Sequence, residues 1–262
     1  MRRAGWIALA LCLTGSTWAR ADEWKKTFTI SEKPELRVES SDANIQVDTW
    51  DSKTIEVHVI TKGWKIGESG VKIYEHQSGD SVQLEMQLPR TLMFSFAAHR
   101  VDVEIHMPRE GKISLRTGDG HIRLNNFKGN IEAESGDGGV DMDGIDGSVR
   151  AHSGDGHIRT NGRFDVLDIS TGDGRIEARA LAGSTVNSNW RLRTGDGSVT
   201  LQVPQNLAAD VDLHTNDGHI TVELPVSIEG LGEAKNIRGK INGGGNLVTI
   251  HTGDGSIRLE KS

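Results

Sequence analysis

Gly118, Gly136, Gly154 and Gly172 each open a Gly-Asp-Gly triplet, and the three intervals between them are all 18 residues. A turn recurring at so fixed a period means that like segments lie beside like segments, the signature of stacked repeats. Further copies stand at Gly195-Asp196-Gly197, Asn216-Asp217-Gly218 and Gly253-Asp254-Gly255, at intervals of 23, 21 and 37 residues. The excess lengths read as loops inserted into otherwise similar units.

Aligning the copies produces apolar columns. Two residues after each Asp-Gly come Ile122, Val140, Ile158, Ile176, Val199, Ile220 and Ile257. Five residues before each triplet stand Ile113, Ile131, Val149, Leu167, Trp190, Val211 and Val248, and polar residues alternate with them. A period of two is the pattern of half-buried strands, so each unit reads as strand, Gly-Asp-Gly turn, strand and second turn.

Two architectures can use that unit. Asp-Gly is a strong hairpin signal, which allows a meander of antiparallel hairpins. Phe127, Ile145 and Phe164, however, sit at or near the second turn, where a hairpin would expose them and a closed coil would point them inward. The expectation is therefore an all-β fold, a β-solenoid of single-stranded β-helix type with about 18 residues per coil. The alignment extends backwards: Leu36, Val38, Ile45, Val47 and Trp50 take the places of Ile113, Leu115, Ile122, Leu124 and Phe127. Irregular extra strands fall near residues 60–110. The chain thus divides into residues 1–21, residues 22–110 with the first coil and irregular strands, and residues 111–262 with the regular repeats. The glycine-rich stretch 227–246 is expected to cap the C-terminal end, since an uncapped coil exposes unpaired strand edges.

Residues 1–21 have the layout of a secretory signal: Arg2 and Arg3, an apolar run from Gly5 to Leu13, and the small-x-small site Ala19-Arg20-Ala21. The single cysteine, Cys12, lies within it, so the exported chain would carry no disulfide. Without Arg2, Arg3 and Arg20 the chain has 27 basic against 37 acidic residues, a net charge of −10, which argues against a nucleic-acid partner. No apolar run after the leader reaches the length of a membrane-spanning helix.

The aspartate column is the first candidate for chemistry. Stacked coils would bring its carboxylates within about 5 Å of one another, a repulsion that needs offsetting. In the structural reading each carboxylate bonds backbone N–H groups of its own turn, while the flanking glycines take positive φ. Those turn glycines are Gly118, Gly120, Gly136, Gly138, Gly154, Gly156, Gly172, Gly174, Gly195, Gly197, Gly253 and Gly255. In the functional reading Asp119, Asp137, Asp155 and Asp173 hold calcium. Calcium is the one cofactor the sequence leaves open.

His121, His157 and His219 share one outward column and His152, His214 and His251 another. Gly139, Arg175 and Ser198 interrupt the first, and ligands two coils apart are too distant for one zinc ion, so the histidines read as solvated surface. Polysaccharide-cleaving β-helices need carboxylates grouped in a cleft, whereas here they recur at every turn, and no nucleophile elbow or phosphate loop is present. Trp50 and Trp190 fall in buried columns. The run Thr91–His99, with Phe94 and Phe96, reads either as an ordinary strand or as a partner-facing edge.

The recurring "TGDGHI", "SGDGHI", "TGDGRI" and "TGDGSI", the opening "SSDANIQVDTW" and the closing "NGGGNLVTIHTGDGSIRLEKS" resemble a bacterial family of exported domains of unknown function labelled "putative adhesin", related to the head domains called GIN. The resemblance runs from about Phe28 to Lys261. It implies a β-helix-like fold and a surface or envelope setting, and it brings no catalytic residues. The leading expectation is an exported, non-enzymatic interaction module of the periplasm, cell surface or medium, with a protein or glycan partner. A polysaccharide-active enzyme and a calcium-stabilised structural repeat are the alternatives. Arg116, Arg123, Arg150, Arg159 and Arg175 interleave with Glu132 and Glu134 on its outward faces, which favours electrostatic selection of a partner.

Overall fold

A computed structural model describes residues 21–89, 99–228 and 235–262. The proposed leader, the phenylalanines Phe94 and Phe96, and the middle of the proposed C-terminal cap lie outside those residues. Among the described residues there are strands and turns but no helix, and the sheet is open.

Each Gly-Asp-Gly turn joins a strand on one face to a strand on the other. On the first face β8 (Glu110–Thr117), β10 (Lys128–Ser135), the second half of β11 (Val140–Ser153) and the second half of β12 (Ile158–Thr171) run parallel, followed by β14 (Trp190–Thr194). On the second face β9 (Ile122–Asn125), the first halves of β11 and β12, β13 (Ile176–Ala180) and β15 (Val199–Val203) do the same. Strands β11 and β12 pass from one face to the other without a break, through register shifts between Met142 and Ile145 and between Gly147 and Ser148. Equivalent residues are register partners: Ile113, Ile131, Val149 and Leu167 in one file, Ile122, Val140, Ile158, Ile176 and Val199 in the other. Parallel pairing of like with like excludes the hairpin meander.

The layers do not follow chain order at either end. β2 (Glu35–Ser40) and β3 (Asn44–Trp50) pair with β8 and β9 on one side, as the alignment of Leu36 with Ile113 and Ile45 with Ile122 requires. On their other side lie β6 (Ser81–Gln87) and β7 (Arg100–Pro108), which come later in the chain. At the C-terminal end β20 (Leu247–Thr252) and β21 (Ile257–Lys261) enter between β14–β15 and the pair β16 (Ala209–Thr215) and β17 (Ile220–Val222). The interval of 37 residues before the last triplet therefore reflects a chain that turns back as well as an inserted loop.

The apolar files lie between the two faces and are buried throughout, from Leu36 and Ile45 to Ile250 and Leu259, with Ile220 and Val222 half-buried at the last layer. Phe127, Ile145 and Phe164 fill the interior at the second turns. Trp190 is fully buried, edge-on to Phe164 at 6.4 Å between centroids, and its indole N–H donates to Asp165 O at 3.3 Å. Trp50 departs from expectation. It is half-buried at the rim, where its indole N–H reaches Thr54 O at 2.9 Å, because an indole N–H needs a polar partner that the dry file lacks.

Antiparallel strands close the ends. β4 (Thr54–Lys62) covers β7, β1 (Asp22–Thr29) covers β4, and β5 (Lys72–Ser78) covers β6. Gln77 Nε2 donates to Thr29 O at 2.9 Å, and Lys26 pairs with Glu75, tying β1 to β5. At the opposite end β19 (Asn236–Ile241) runs antiparallel to β16, and β18 (Val226–Ile228) to β19, so the described part of 227–246 covers that edge.

Ile158→Asp places an unpaired charge in a file without polar partners and should cost about 3–5 kcal/mol. His157→Ala, at the neighbouring outward position, should cost within about 1 kcal/mol. Thermal melts of the two variants check the assignment of inward and outward positions.

Candidate interaction surface

The turn edge is built from main chain. Gly118 N–H donates to Ser41 O at 2.5 Å, Gly136 to Gly118 O at 2.5 Å, Gly154 to Gly136 O at 2.6 Å and Gly172 to Gly154 O at 2.5 Å. The series continues with Gly195 to Gly172 O at 2.5 Å, Gly253 to Gly195 O at 2.6 Å and Asn216 to Gly253 O at 3.0 Å. The same layer order appears here as in the strands. A Cβ added at Gly156 would overlap the carbonyl oxygen of Gly138, and one at Gly174 that of Gly156. The triplet glycines have none of the positive φ values expected of them, which occur instead at Gly79, Gly129, Gly144 and other glycines. They are glycine because the next turn lies in the space where a side chain would be.

Behind the triplets stands a file of hydroxyls: Thr117, Ser135, Ser153, Thr171, Thr194, Thr215 and Thr252, all buried. Each donates to a main-chain carbonyl of the adjacent layer, Thr117 Oγ1 to Ala43 O at 2.9 Å and the others to glycines, as Ser153 Oγ does to Gly138 O at 2.9 Å and Thr171 Oγ1 to Gly156 O at 2.9 Å. Several also accept from their own turn, as Ser153 does from Gly156 N at 3.0 Å. The residue before every Gly-Asp-Gly or Asn-Asp-Gly is Ser or Thr, so this signal was present in the sequence and went unread.

These bonds leave the aspartates without the role expected of them. Asp137 N–H goes to Gly118 O at 3.2 Å and Asp155 N–H to Gly136 O at 3.2 Å. With the turn N–H groups spent between layers, Asp119, Asp137, Asp155 and Asp173 accept no hydrogen bond among the described residues, and all four carboxylates are exposed. They form one file with Asp42, Asp196, Asp254 and Asp217. Burial, then Asp42 and Asp137, raise the Asp119 carboxyl above its ordinary value. Repulsion between unit charges about 5 Å apart is of order 1 kcal/mol in water. Among the described residues no group of three or more His, Cys, Asp or Glu side chains is placed to hold a metal ion.

The flat faces are different. By register, Glu132, Arg150, Asp168 and Arg191 alternate in sign across the first face, and Arg123, Asp141, Arg159 and Glu177 across the second. Arg159 Nε meets Glu177 Oε2 at 2.9 Å and Arg191 lies 3.8 Å from Asp168. Arg116 pairs with Glu134. Amide files run alongside: Asn125 Nδ2 to Asp48 Oδ1 at 2.8 Å and Asn161 Nδ2 to Asp143 Oδ1 at 2.7 Å.

Two histidine pairs are closer than their spacing in sequence suggests. Gly139 leaves room for the His157 ring, which lies 5.8 Å from that of His121, and Asp141 sits between them, 3.0 Å from His121 Nε2 and 3.6 Å from His157 Nε2. His214 and His251 occupy adjacent strands, 5.4 Å apart, because the last coil inserts beside β16. An open cleft of about 820 Å³ at the first aspartate of the file is lined by Glu39, Asp42, Trp64, Glu85, Gln87 and Arg116. Within it Glu39 bonds Arg37, and Glu85 accepts from Gln87 Nε2 at 2.8 Å.

Gly156→Ala should lower the melting point well beyond Gly79→Ala, since the first meets a carbonyl and the second has open space and only a positive φ to oppose it. Burial, followed by His214 and Arg193, lowers the His251 pKa below its ordinary value, against an opposing contribution from Asp212. A histidine lowered on folding contributes stability above its unfolded pKa, and that contribution is lost as pH falls below it. Between pH 7.5 and 5.5 the natural chain should therefore lose more thermal stability than His251→Gln, as paired melts would show.

Residues 148–260 match the model of a family described as Toastrack DUF4097. No curated protein matches the chain. Among solved structures it is similar to a "putative cell adhesion protein" from Clostridium sporogenes, with 16% identity over 93% of this chain and 100% of that one and a TM-score of 0.47. A "putative adhesin" from Bacteroides fragilis has 12% identity over 90% of this chain and 96% of that one, with a TM-score of 0.44. For a "putative lipid binding protein" from Parabacteroides distasonis the identity is 11% over 91% and 96%, with a TM-score of 0.39. The C-terminal part of the chain is thus similar to the Toastrack family of domains of unknown function.

Proposed function

We propose that the protein is an exported, non-enzymatic interaction module of the cell envelope or surface, a β-helix-like solenoid with about 18 residues per winding in its regular part. The observation that carries this reading is the contrast between edge and faces. On the faces Arg159 and Arg191 are met by Glu177 and Asp168 of adjacent layers, while the aspartate file projects without protein hydrogen bonds over most of its length. A rigid row of like charges beside two nearly neutral faces selects partners by complementary charge rather than by apolar contact.

The chain from residue 22 onward, screened against glycans and envelope proteins, should bind a cationic partner in a way that weakens with salt. Changing Asp119, Asp137, Asp155 and Asp173 together to Asn should reduce that binding at least tenfold. Binding indifferent to both salt and the four substitutions would remove the edge from the account.

Two other readings have their own observations. The cleft holding Glu39, Glu85 and Trp64 is where a polysaccharide-active enzyme would work, and release of reducing ends by the natural chain but not by Glu85→Gln would establish that reading. The aspartate file is where calcium would bridge layers. Calcium held only by the folded chain should raise the melting midpoint and a chelator should reverse it; an unchanged midpoint would dismiss calcium.

A further inference from the structure

We propose that the C-terminal coil, β20–β21, is an exchangeable element, and that the slot it fills can accept the same coil from a second copy of this chain. This goes beyond the proposed binding function and does not rest on it.

The slot exists because the chain skips a layer. From the end of β15 at Val203 to the start of β16 at Ala209 the backbone passes over one layer of the stack, a rise of about 10 Å instead of about 5 Å. What fills the gap is the segment 247–261. β20 pairs in parallel with β14 through Trp190 and Val248 and with β16 through Val211 and Val248; β21 pairs with β15 through Val199 and Ile257 and with β17 through Ile220 and Ile257. Val248, Ile250, Ile257 and Leu259 are all buried there. Its turn is threaded into the same main-chain series, Gly253 N–H on Gly195 O and Asn216 N–H on Gly253 O. Without the coil, both faces would present two facing parallel edges and an open apolar gap that this segment fills in register on both sides.

The coil hangs on a tight hinge. After β19 the chain passes through Asn242, Gly243 and Gly244 at φ 49°, 91° and 86°, then Gly245 and Asn246, into β20. Asn242 is one of two non-glycine residues at positive φ among those described, a conformation that L side chains seldom adopt. Extended, residues 242–246 span roughly 17 Å, enough to carry the coil out of its own stack. Two copies that trade coils reproduce every strand pairing and release the left-handed hinge, which is the situation in which domain swapping costs least. Tethering opposes the exchange, because a short linker holds the coil at an effective concentration of order millimolar. Exchange should therefore depend steeply on protein concentration.

Arg193 and His251 are register partners across β14 and β20, and Cys12 is the only cysteine, so the chain from residue 22 with Arg193→Cys and His251→Cys carries one thiol pair. It would be refolded at about 1 µM and about 1 mM and then oxidised, on the same scale as that effective concentration. The proposal predicts bonds within one chain at the low concentration. At the high concentration it predicts at least a tenfold larger share of covalent dimer, joined residue 193 to residue 251. A control pair, Ser114→Cys with Glu132→Cys across β8 and β10, should close within one chain at both. Equal dimer shares at the two concentrations, or dimers equally abundant in the control, would overturn it. Gly243→Ala with Gly244→Ala, in a chain without cysteines, disfavours the tight hinge and should raise the dimer fraction severalfold in sedimentation. An unchanged fraction there counts against the proposal equally.

Discussion

The stack depends on a hydrogen bond from the first residue of each turn to the carbonyl of the turn in the next layer, made at 2.5–2.6 Å through the glycine series from Gly118 to Gly253. Such an approach is open only to a backbone without Cβ atoms on the facing side. It fixes the spacing of the turns, and the turns fix the register of the strands on either side. Because a one-residue slip would turn every Ile and Val of the files outward, register and core are one constraint. The buried hydroxyl before each triplet strengthens it, linking a layer to its neighbour through a side chain where water cannot compete.

Electrostatics follow from the same register. When like residues stack on like, every outward position becomes a file, and a file of one charge is repulsive. On the two faces the sequence alternates sign from layer to layer, Glu132, Arg150, Asp168 and Arg191, so stacking becomes attractive. Along the turn edge it does not alternate: burial, and after it the charges of Asp42 and Asp137, raise the Asp119 carboxyl above its ordinary value. The negative charge is thereby concentrated on one line of the molecule. That line is the feature most suited to meeting another molecule.

Much of this was legible in the sequence because a strict repeat lets columns be compared. The alternation around Ile113 and Ile122, the inward Phe127 and Phe164, and the match of residues 36–47 to 113–124 all came from aligning one motif. The reason for the glycines did not. Positive φ and close approach both select glycine, and sequence does not distinguish them. The layer order was hidden for a different reason: an alignment gives the place of a unit within the repeat but not its place in the stack. Nothing in the residues around Gly253 says that its turn lies between those of Gly195 and Asn216 rather than beyond Asn216. Trp50 was misplaced because the column gave its position without its indole N–H, and the His121–Asp141–His157 grouping because Gly139 was taken as an interruption when it is the space that the His157 ring fills.

Amide hydrogen exchange resolved at the turns tests the central claim most directly. Gly118, Gly136, Gly154, Gly172, Gly195 and Gly253 lie on the exposed edge, where an ordinary turn N–H exchanges freely. If each is bonded to the layer beside it, these six amides should exchange as slowly as those of Ile131 and Val149 in the strands. Exchange at the rate of the exposed hinge residue Gly243 would contradict the account.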